Sequence, residues 1–330
     1  MNRKVCVAPM MDCTDRHERF FLRLISKNVL LYTEMIVSEA IDRGDKKKLL
    51  SFNIKEKPVA LQLGGSSPKL LANASKIGEE FGYDEINLNL GCPSKKVQKN
   101  KFGACLIKEP NLVADCLSEM RAKTKLPVTV KTRIGYDDVE DYESLFNFIK
   151  ILKSTGVKTF IIHSRKAMLG KFTPKQNLNI PPLKYDMVYK LKKDFNDLEI
   201  IINGGINSTD QIKNHLLKVD GVMIGRSIYH SPYILADIEK EIFNNDKIFT
   251  RQEIIENLIP YVKNEVKKGT RLNQIMRHTL GLFHGQTGSS FWKRYLSENM
   301  CVRDADVKKI DHIMDKVKLS PKLHSAGQID

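Results

Sequence analysis

The sequence offers no membrane span, no metal cluster and no nucleotide-phosphate loop. No stretch approaches the ~20 consecutive apolar residues that a transmembrane helix needs. No apolar leader follows Met1-Asn-Arg-Lys4, which runs directly into Val5-Cys-Val-Ala-Pro-Met10, so no secretory signal is expected. The six cysteines (Cys6, Cys13, Cys92, Cys105, Cys116, Cys301) form no C-x-x-C pair and no zinc-like spacing. They read as reduced thiols of a cytoplasmic protein, with no metal site. Neither a G-x-G-x-x-G turn nor a P-loop lysine motif is present, so neither a dinucleotide fold nor an ATPase is indicated. There is no internal repeat of solenoid period.

What is present in excess is positive charge. Lys+Arg number 54 against 39 Asp+Glu, a net charge of +15 on 330 residues. Such a balance suits a polyanion, nucleic acid first and an anionic membrane surface second; a lysine-rich composition without a partner is the plainer alternative. The 42% hydrophobic and 28% charged shares are those of a globular chain with a full core.

From residue 4 to about 226, short apolar runs alternate with amphipathic stretches such as Pro68–Phe81 and Asn111–Lys123. The expected strands are Val5–Ala8, Leu30–Tyr32, Val59–Leu63, Glu85–Asn89, Val128–Val130, Thr159–Ile162, Glu199–Ile202 and Gly221–Ile224. Eight strands alternating with helices match an α/β fold of the (β/α)8 TIM-barrel type, whose usual size is about 250 residues. A doubly wound open sheet is the alternative. The barrel is favoured because a polar residue follows every strand: Met10 and Asp12, Thr33 and Glu34, Gln62, Asn87 to Cys92, Lys131 and Arg133, His163 and Arg165, Asn203, and Arg226. Barrel active sites are built from these ends. Any one alone reads equally as a solvated loop residue.

Within Glu85–Gln98, Ile86, Leu88 and Leu90 alternate with Glu85, Asn87 and Asn89, the pattern of a half-buried strand. Gly91-Cys92-Pro93-Ser94 then breaks it and puts a thiol on a turn, either a small packing residue or a chemical group. Asn203-Gly204-Gly205 and Gly225-Arg226 are glycine turns after the last two strands. There barrels often seat a phosphate, which Arg226 would grip with its fork. The barrel is expected over residues 1–239, a polar linker over 240–250, an all-α helical bundle over 251–319 and a mobile tail over 320–330. Thr250-Arg-Gln-Glu253 is a capping box opening the bundle, and Pro260 inside its first helix predicts a kink. Further helices are expected over Leu272–Phe283, Ser290–Met300 and Ala305–Val317.

Ala8-Pro-Met-Met-Asp-Cys-Thr-Asp15, Ala60-Leu-Gln-Leu-Gly64, Asn87–Ser94, Val130-Lys-Thr-Arg133, His163-Ser-Arg165, Asn203-Gly-Gly205 and Gly225-Arg226 together resemble the tRNA-dihydrouridine synthase family. Lys166-Ala-Met-Leu169, Thr173-Pro-Lys-Gln-Asn177, Pro181-Pro182 and Gly281–Gly288 are similar to its A subfamily, and the likeness runs over nearly the whole chain. The resemblance implies a tRNA-dihydrouridine(20/20a) synthase activity, with FMN in the barrel mouth, NADPH as reductant and a uridine of the tRNA D-loop as substrate. It implies that Pro9, Met10 and Met11 line the flavin, that Gln62 and Lys131 bond its ring, and that His163 lies nearby. Asn203, Gly204, Gly205, Gly225 and Arg226 would hold the phosphate, and Cys92 would be the catalytic acid.

That role is chemically sensible. Hydride delivered to C6 of uracil pushes charge toward C5, which must then be protonated. A free thiol, with a pKa of about 8.5, holds its proton at neutral pH and can donate it. The resemblance places Asn89 against the extruded base, drawn out of the folded tRNA. Lys95 and Lys96 beside Cys92, together with Lys175, Lys293 and Arg294, would meet tRNA phosphates, though a charged loop beside Cys92 is also what solvent alone would favour. Trp292 is expected to pack the bundle rather than stack on a base. Leu178, Ser290 and Lys293 stand where the subfamily usually has arginine, which bears on how tRNA is oriented. A flavin dehydrogenase of a free pyrimidine and a non-catalytic tRNA chaperone are the rival readings. Neither a membrane nor an obligate protein partner is indicated.

Overall fold

The computed structural model describes residues 1–300. The expected helix Ala305–Val317, the tail 320–330 and Cys301 lie outside the described residues. By their internal contacts the described residues fall into two groups: Met1–Thr14 with Val29–Gly225, and Asp15–Asn28 with residues 226–300.

The first group is the barrel. Its strands are β1 (Val5–Val7), β2 (Leu31–Tyr32), β3 (Val59–Gly64), β4 (Glu85–Leu90), β5 (Val128–Arg133), β6 (Thr159–His163), β7 (Glu199–Asn203) and β8 (Gly221–Ile224). All pair in parallel, in the order β1-β8-β7-β6-β5-β4-β3-β2. A single parallel bridge from Cys6 to Leu30 closes the ring, with Val7 N donating to Leu30 O at 2.9 Å and Leu30 N to Val5 O at 3.1 Å. The sheet is therefore a barrel and not an open doubly wound sheet. A two-residue strand, Ile36–Val37, pairs with the end of β3.

Helix Pro68–Glu80 shows how the outer layer docks. Ser67 caps it, accepting from Leu70 N, and Pro68 stands where a missing N–H costs nothing. On its buried face Gly78 takes the place of a larger residue: a Cβ there would lie 2.7 Å from both Ile86 and Leu61. Ile86 thus faces the helices.

That orientation corrects the half-buried expectation for β4, because all six of its residues are buried. With Ile86, Leu88 and Leu90 turned to the helices, Glu85, Asn87 and Asn89 point into the barrel. The interior is divided. Cys6, Ala8, Leu30, Tyr32, Ala60, Ile161, Ile201 and Met223 form an apolar cluster. Against it, β3 to β5 contribute Gln62, Glu85, Asn87, Asn89 and Thr129, all buried. Polar groups survive there only if hydrogen-bonded, since an unpaired one costs about 1–3 kcal/mol.

The second group is helical. Helix Arg16–Ile25, although it follows β1 in sequence, belongs here with helices Ile234–Phe243, Arg251–Lys267, Leu272–Met276 and Ser289–Asn299. Phe20 stacks on Tyr261 with ring centroids 3.8 Å apart, and Arg16 pairs with Glu265 at 2.6 Å. Glu239 accepts from Ser26, from Asn28 N at 3.0 Å and from Asn28 Nδ2 at 2.7 Å. The capping box at Thr250 and Glu253 is formed, and Pro260 lies inside the helix it opens without ending it. The helix expected over Leu272–Phe283 is shorter, passing at Arg277–Thr279 into a single 3₁₀ turn. Gly281 then meets the His230 carbonyl so closely that no side chain fits. Trp292 is buried, donating from Nε1 to Thr279 O at 2.9 Å, and so packs the bundle. Among the described residues no helix is long and apolar enough to cross a membrane.

Candidate active site

The C-terminal ends of the strands gather the chemistry. At the end of β4, Asn89 Oδ1 accepts from Gly91 N at 3.1 Å and Cys92 N at 3.0 Å. This side chain folds the turn on which the thiol sits. The Cys92 carbonyl accepts from Ala104 N at 3.0 Å, and Ser94 accepts from Val97 N at 3.2 Å, starting the short helix Lys95–Lys99. Gly103 has a positive φ of 75°, and a Cβ there would lie 2.7 Å from the Cys92 carbonyl, so only glycine closes this loop. Cys92 is held on both sides and remains half-buried.

Lys131 is the β5 neighbour of Asn89 in the ladder. Its pKa is pushed down to about 7, first by burial and then by the like charge of Arg133, with Cys92 opposing. No hydrogen bond or ion pair reaches its ammonium among the described residues. Arg133 is buried and holds the loops together, with Nε on Gly91 O at 2.8 Å and Nη1 on Lys166 O at 3.0 Å. Burial lowers its pKa to about 10, which leaves it cationic.

Gln62 is buried and uses both ends of its amide, accepting from Asn89 Nδ2 at 2.8 Å and donating to Asn87 Oδ1 at 2.7 Å. Asn89, expected against the substrate, is thereby committed to the protein through both its nitrogen and its oxygen. His163 accepts the Arg165 N–H at Nδ1, 3.2 Å away, which assigns its proton to Nε2. Asn203, next to it in the ladder, donates from Nδ2 to Met223 O at 2.7 Å. Gly204 (φ 122°) and Gly205 (φ 74°) follow it in left-handed conformations. A Cβ on Gly205 would come within 2.6 Å of Leu183, and one on Gly225 within 3.2 Å of Met10 Sδ. A side chain at any of these glycines would crowd a neighbour, so the loops after β7 and β8 stay bare backbone, whose N–H groups an anion can approach.

Pro9 and Met10 are half-buried after β1, and Met11 is exposed. Lys95 and Lys96 are exposed on the helix that follows Cys92, and Lys175 is exposed on the turn Pro174–Asn177. In the other group Arg226 opens the short helix Arg226–His230, and Lys293 and Arg294 are exposed on helix Ser289–Asn299. Among the described residues no group of three or more His, Cys, Asp or Glu side chains is arranged to hold a metal. Sequence reasoning passed over Glu85 and Thr129, and it listed Asn87 only as part of a strand end. The available signal was three polar residues at alternate positions of one strand, but on its own it reads as a solvent face.

The family model described as Dihydrouridine synthase (Dus) matches residues 6–318. A tRNA-dihydrouridine(20/20a) synthase of Synechocystis sp. is 52% identical over 300 residues, 91% of this chain and 90% of that protein. The enzyme of the same name from Escherichia coli K12 is 50% identical over 313 residues, 94% of this chain and 90% of its own. Among solved structures, a 2-naphthoyl-CoA reductase complex superposes with a TM-score of 0.53 at 12% identity, over 73% of this chain and 50% of that one, a likeness of fold alone. The chain belongs to the dihydrouridine synthase family.

Proposed function

We propose that this chain is a tRNA-dihydrouridine(20/20a) synthase, acting in the cytoplasm on D-loop uridine with FMN as cofactor and NADPH as reductant. The single observation that carries the reading is the Asn89–Cys92 turn, which holds a half-buried thiol beside Lys131 at the mouth of the barrel. The strong similarity to synthases bearing that name supports the substrate.

The residues present fit a flavin mononucleotide. The glycine turns at Gly204, Gly205 and Gly225 offer backbone N–H groups to its phosphate, with Asn203 and Arg226 next to them in sequence. Among the described residues the half-buried Lys131 has no hydrogen bond or ion pair at its ammonium, and Ser164 next to His163 has a buried hydroxyl without a partner. Pro9, Met10 and Met11 would line the ring and Gln62 and Lys131 would bond it. When bound, the flavin supplies hydride to C6 of uracil.

The chain supplies the rest. Cys92 delivers its proton to C5, so the thiol must be protonated when the base arrives, and the Asn89 turn fixes where it stands. Lys131 stabilises negative charge beside the thiol. Lys95, Lys96 and Lys175, with Lys293 and Arg294 in the helical group, meet tRNA phosphates without reading sequence.

The test is mass mapping of dihydrouridine in tRNA after incubation with the full chain, NADPH and tRNA, with free uridine in parallel. Product on tRNA but not on free uridine is expected, and Cys92→Ala should keep its flavin while losing the product. Turnover of free uridine at the tRNA rate would point instead to a free-pyrimidine dehydrogenase.

A further inference from the structure

We infer that Glu85, at the opposite end of β4 from Cys92, is a positioning residue for the Cys92 turn and for Gln62, acting through a one-way chain of side-chain hydrogen bonds inside the barrel. Asn89 Oδ1 receives the Gly91 and Cys92 N–H groups. Asn89 Nδ2 donates to Gln62 Oε1 at 2.8 Å, Gln62 Nε2 to Asn87 Oδ1 at 2.7 Å, and Asn87 Nδ2 to Thr129 Oγ1 at 2.8 Å. The Thr129 hydroxyl donates to Glu85 Oε1 at 2.6 Å. The Tyr32 hydroxyl at 2.7 Å and Arg3 Nε at 2.7 Å are also donors to Glu85.

The two ends fix the sense of everything between them. Backbone N–H groups only donate, and the Glu85 carboxylate only accepts. Three amides and one hydroxyl lie between, and each uses one donor and one acceptor along the chain. Turning any one amide over would set oxygen against oxygen on one side and N–H against N–H on the other. All are buried, so a mismatch has no water to relieve it. Arg3 anchors the far end, since its Nη1 also reaches Glu199 at 2.9 Å. The charge on the barrel floor thus agrees with the backbone N–H groups on which atom Gln62 turns toward Asn89, and reinforces the Asn89 orientation that folds the Cys92 turn.

The direct implication for Gln62 rests on the flavin reading above, whereas that for Cys92 does not. The test compares Thr129→Val, which keeps the shape and removes the hydroxyl, with Thr129→Ser, which restores it. In the full chain as purified, Cys92 alkylation by iodoacetamide, mapped by mass spectrometry, should quicken about two- to tenfold in Thr129→Val, the change one lost hydrogen bond allows. Alkylation of the half-buried Cys13, on the loop after β1, serves as internal control and should not change, and Thr129→Ser should return Cys92 to its original rate. Dihydrouridine formation should lose rate with little change in the tRNA concentration needed, while flavin content is kept. An unchanged Cys92 rate in Thr129→Val, or a Thr129→Ser variant as altered as it, overturns the proposal. If Thr129→Val does not fold, Glu85→Gln carries the same measurement, and failure of both to fold makes the chain structural and also overturns it. A normal relay result with no tRNA product would sink the function and leave the relay standing.

Discussion

The Asn89 side chain accepts the backbone N–H of Cys92 at 3.0 Å while donating to Gln62 at 2.8 Å. One amide thus couples the thiol turn to a residue proposed to touch the flavin. Asn89→Asp keeps the acceptor for Cys92 but sets a carboxylate against Gln62 Oε1. Asn89→Ala removes both contacts. Both variants should form dihydrouridine about ten- to a hundredfold more slowly, the scale set by a misplaced reacting group. Of the two, Asn89→Asp should hold the turn better, read as slower Cys92 alkylation than in Asn89→Ala. Equal alkylation rates would remove the turn from the explanation.

Lys131 gives a prediction whose sign is set by burial. Its pKa falls from 10.5 to about 7 in the folded protein, so the unfolded chain binds more protons between those values. Burying Lys131 therefore costs stability in full below about pH 7, and the cost fades as pH rises toward 10.5. After flavin removal, Lys131→Met should melt at a higher temperature than the parent at pH 6.5, with a smaller difference at pH 9.5, while turnover is lost. A difference that grew with pH would contradict the assignment.

The barrel was legible because strands closed into a ring and covered by helices must be apolar outward, and all eight runs announced themselves. The strand ends were legible for the same reason: polar residues after apolar runs have few places to go in this fold. The interior was not. Glu85, Asn87 and Asn89 on alternate positions of β4 look like a wet face, and only the closed ring shows that they face Gln62 and Thr129 instead. The allocation of Arg16–Ile25 to the helical group was equally hidden, because its partners Tyr261 and Glu265, and the His278 partner of its capping Asp15, lie more than two hundred residues away. Periodicity within a helix says which face is buried and nothing about what buries it.

His17 makes the helical group sensitive to acid. Its ring donates to or accepts from the Tyr261 hydroxyl at 2.7 Å, and its pKa drops from 6.5 to about 4, chiefly through burial, with Asp15 opposing. The folded state resists protonation, so stability present above pH 6.5 is lost as pH falls toward 4. The loss is on the order of 3 kcal/mol, from about two and a half units at 1.36 kcal/mol each. Asp15 adds nothing in that window, because despite burial its bonds to His278, to backbone and to Arg277 hold its carboxyl well below the usual range. Urea unfolding followed by Trp292, the one tryptophan, should show this slope, and His17→Gln should flatten it. An equally steep slope in the variant would place the acid sensitivity elsewhere.

Lys95 and Lys96 separate substrate grip from chemistry. Both are exposed in the first turn of the helix that begins just after Cys92, and neither makes an ion pair among the described residues. If each neutralises one tRNA phosphate, it releases bound counterions, and tRNA affinity falls with salt by roughly 0.7–0.9 logarithmic units per contact for each tenfold rise in salt. Replacing both with Ala should therefore lower the slope of log affinity against log salt by roughly 1.4–1.8. The rate at saturating tRNA should stay within about twofold, because the substitutions leave the Asn89 turn and the thiol in place. The measurement is tRNA binding by filter retention across a salt series, paired with single-turnover dihydrouridine formation. An unchanged slope would return these lysines to solvent, and an unchanged slope with a lost rate would show that they shape the Cys92 loop and do not hold RNA.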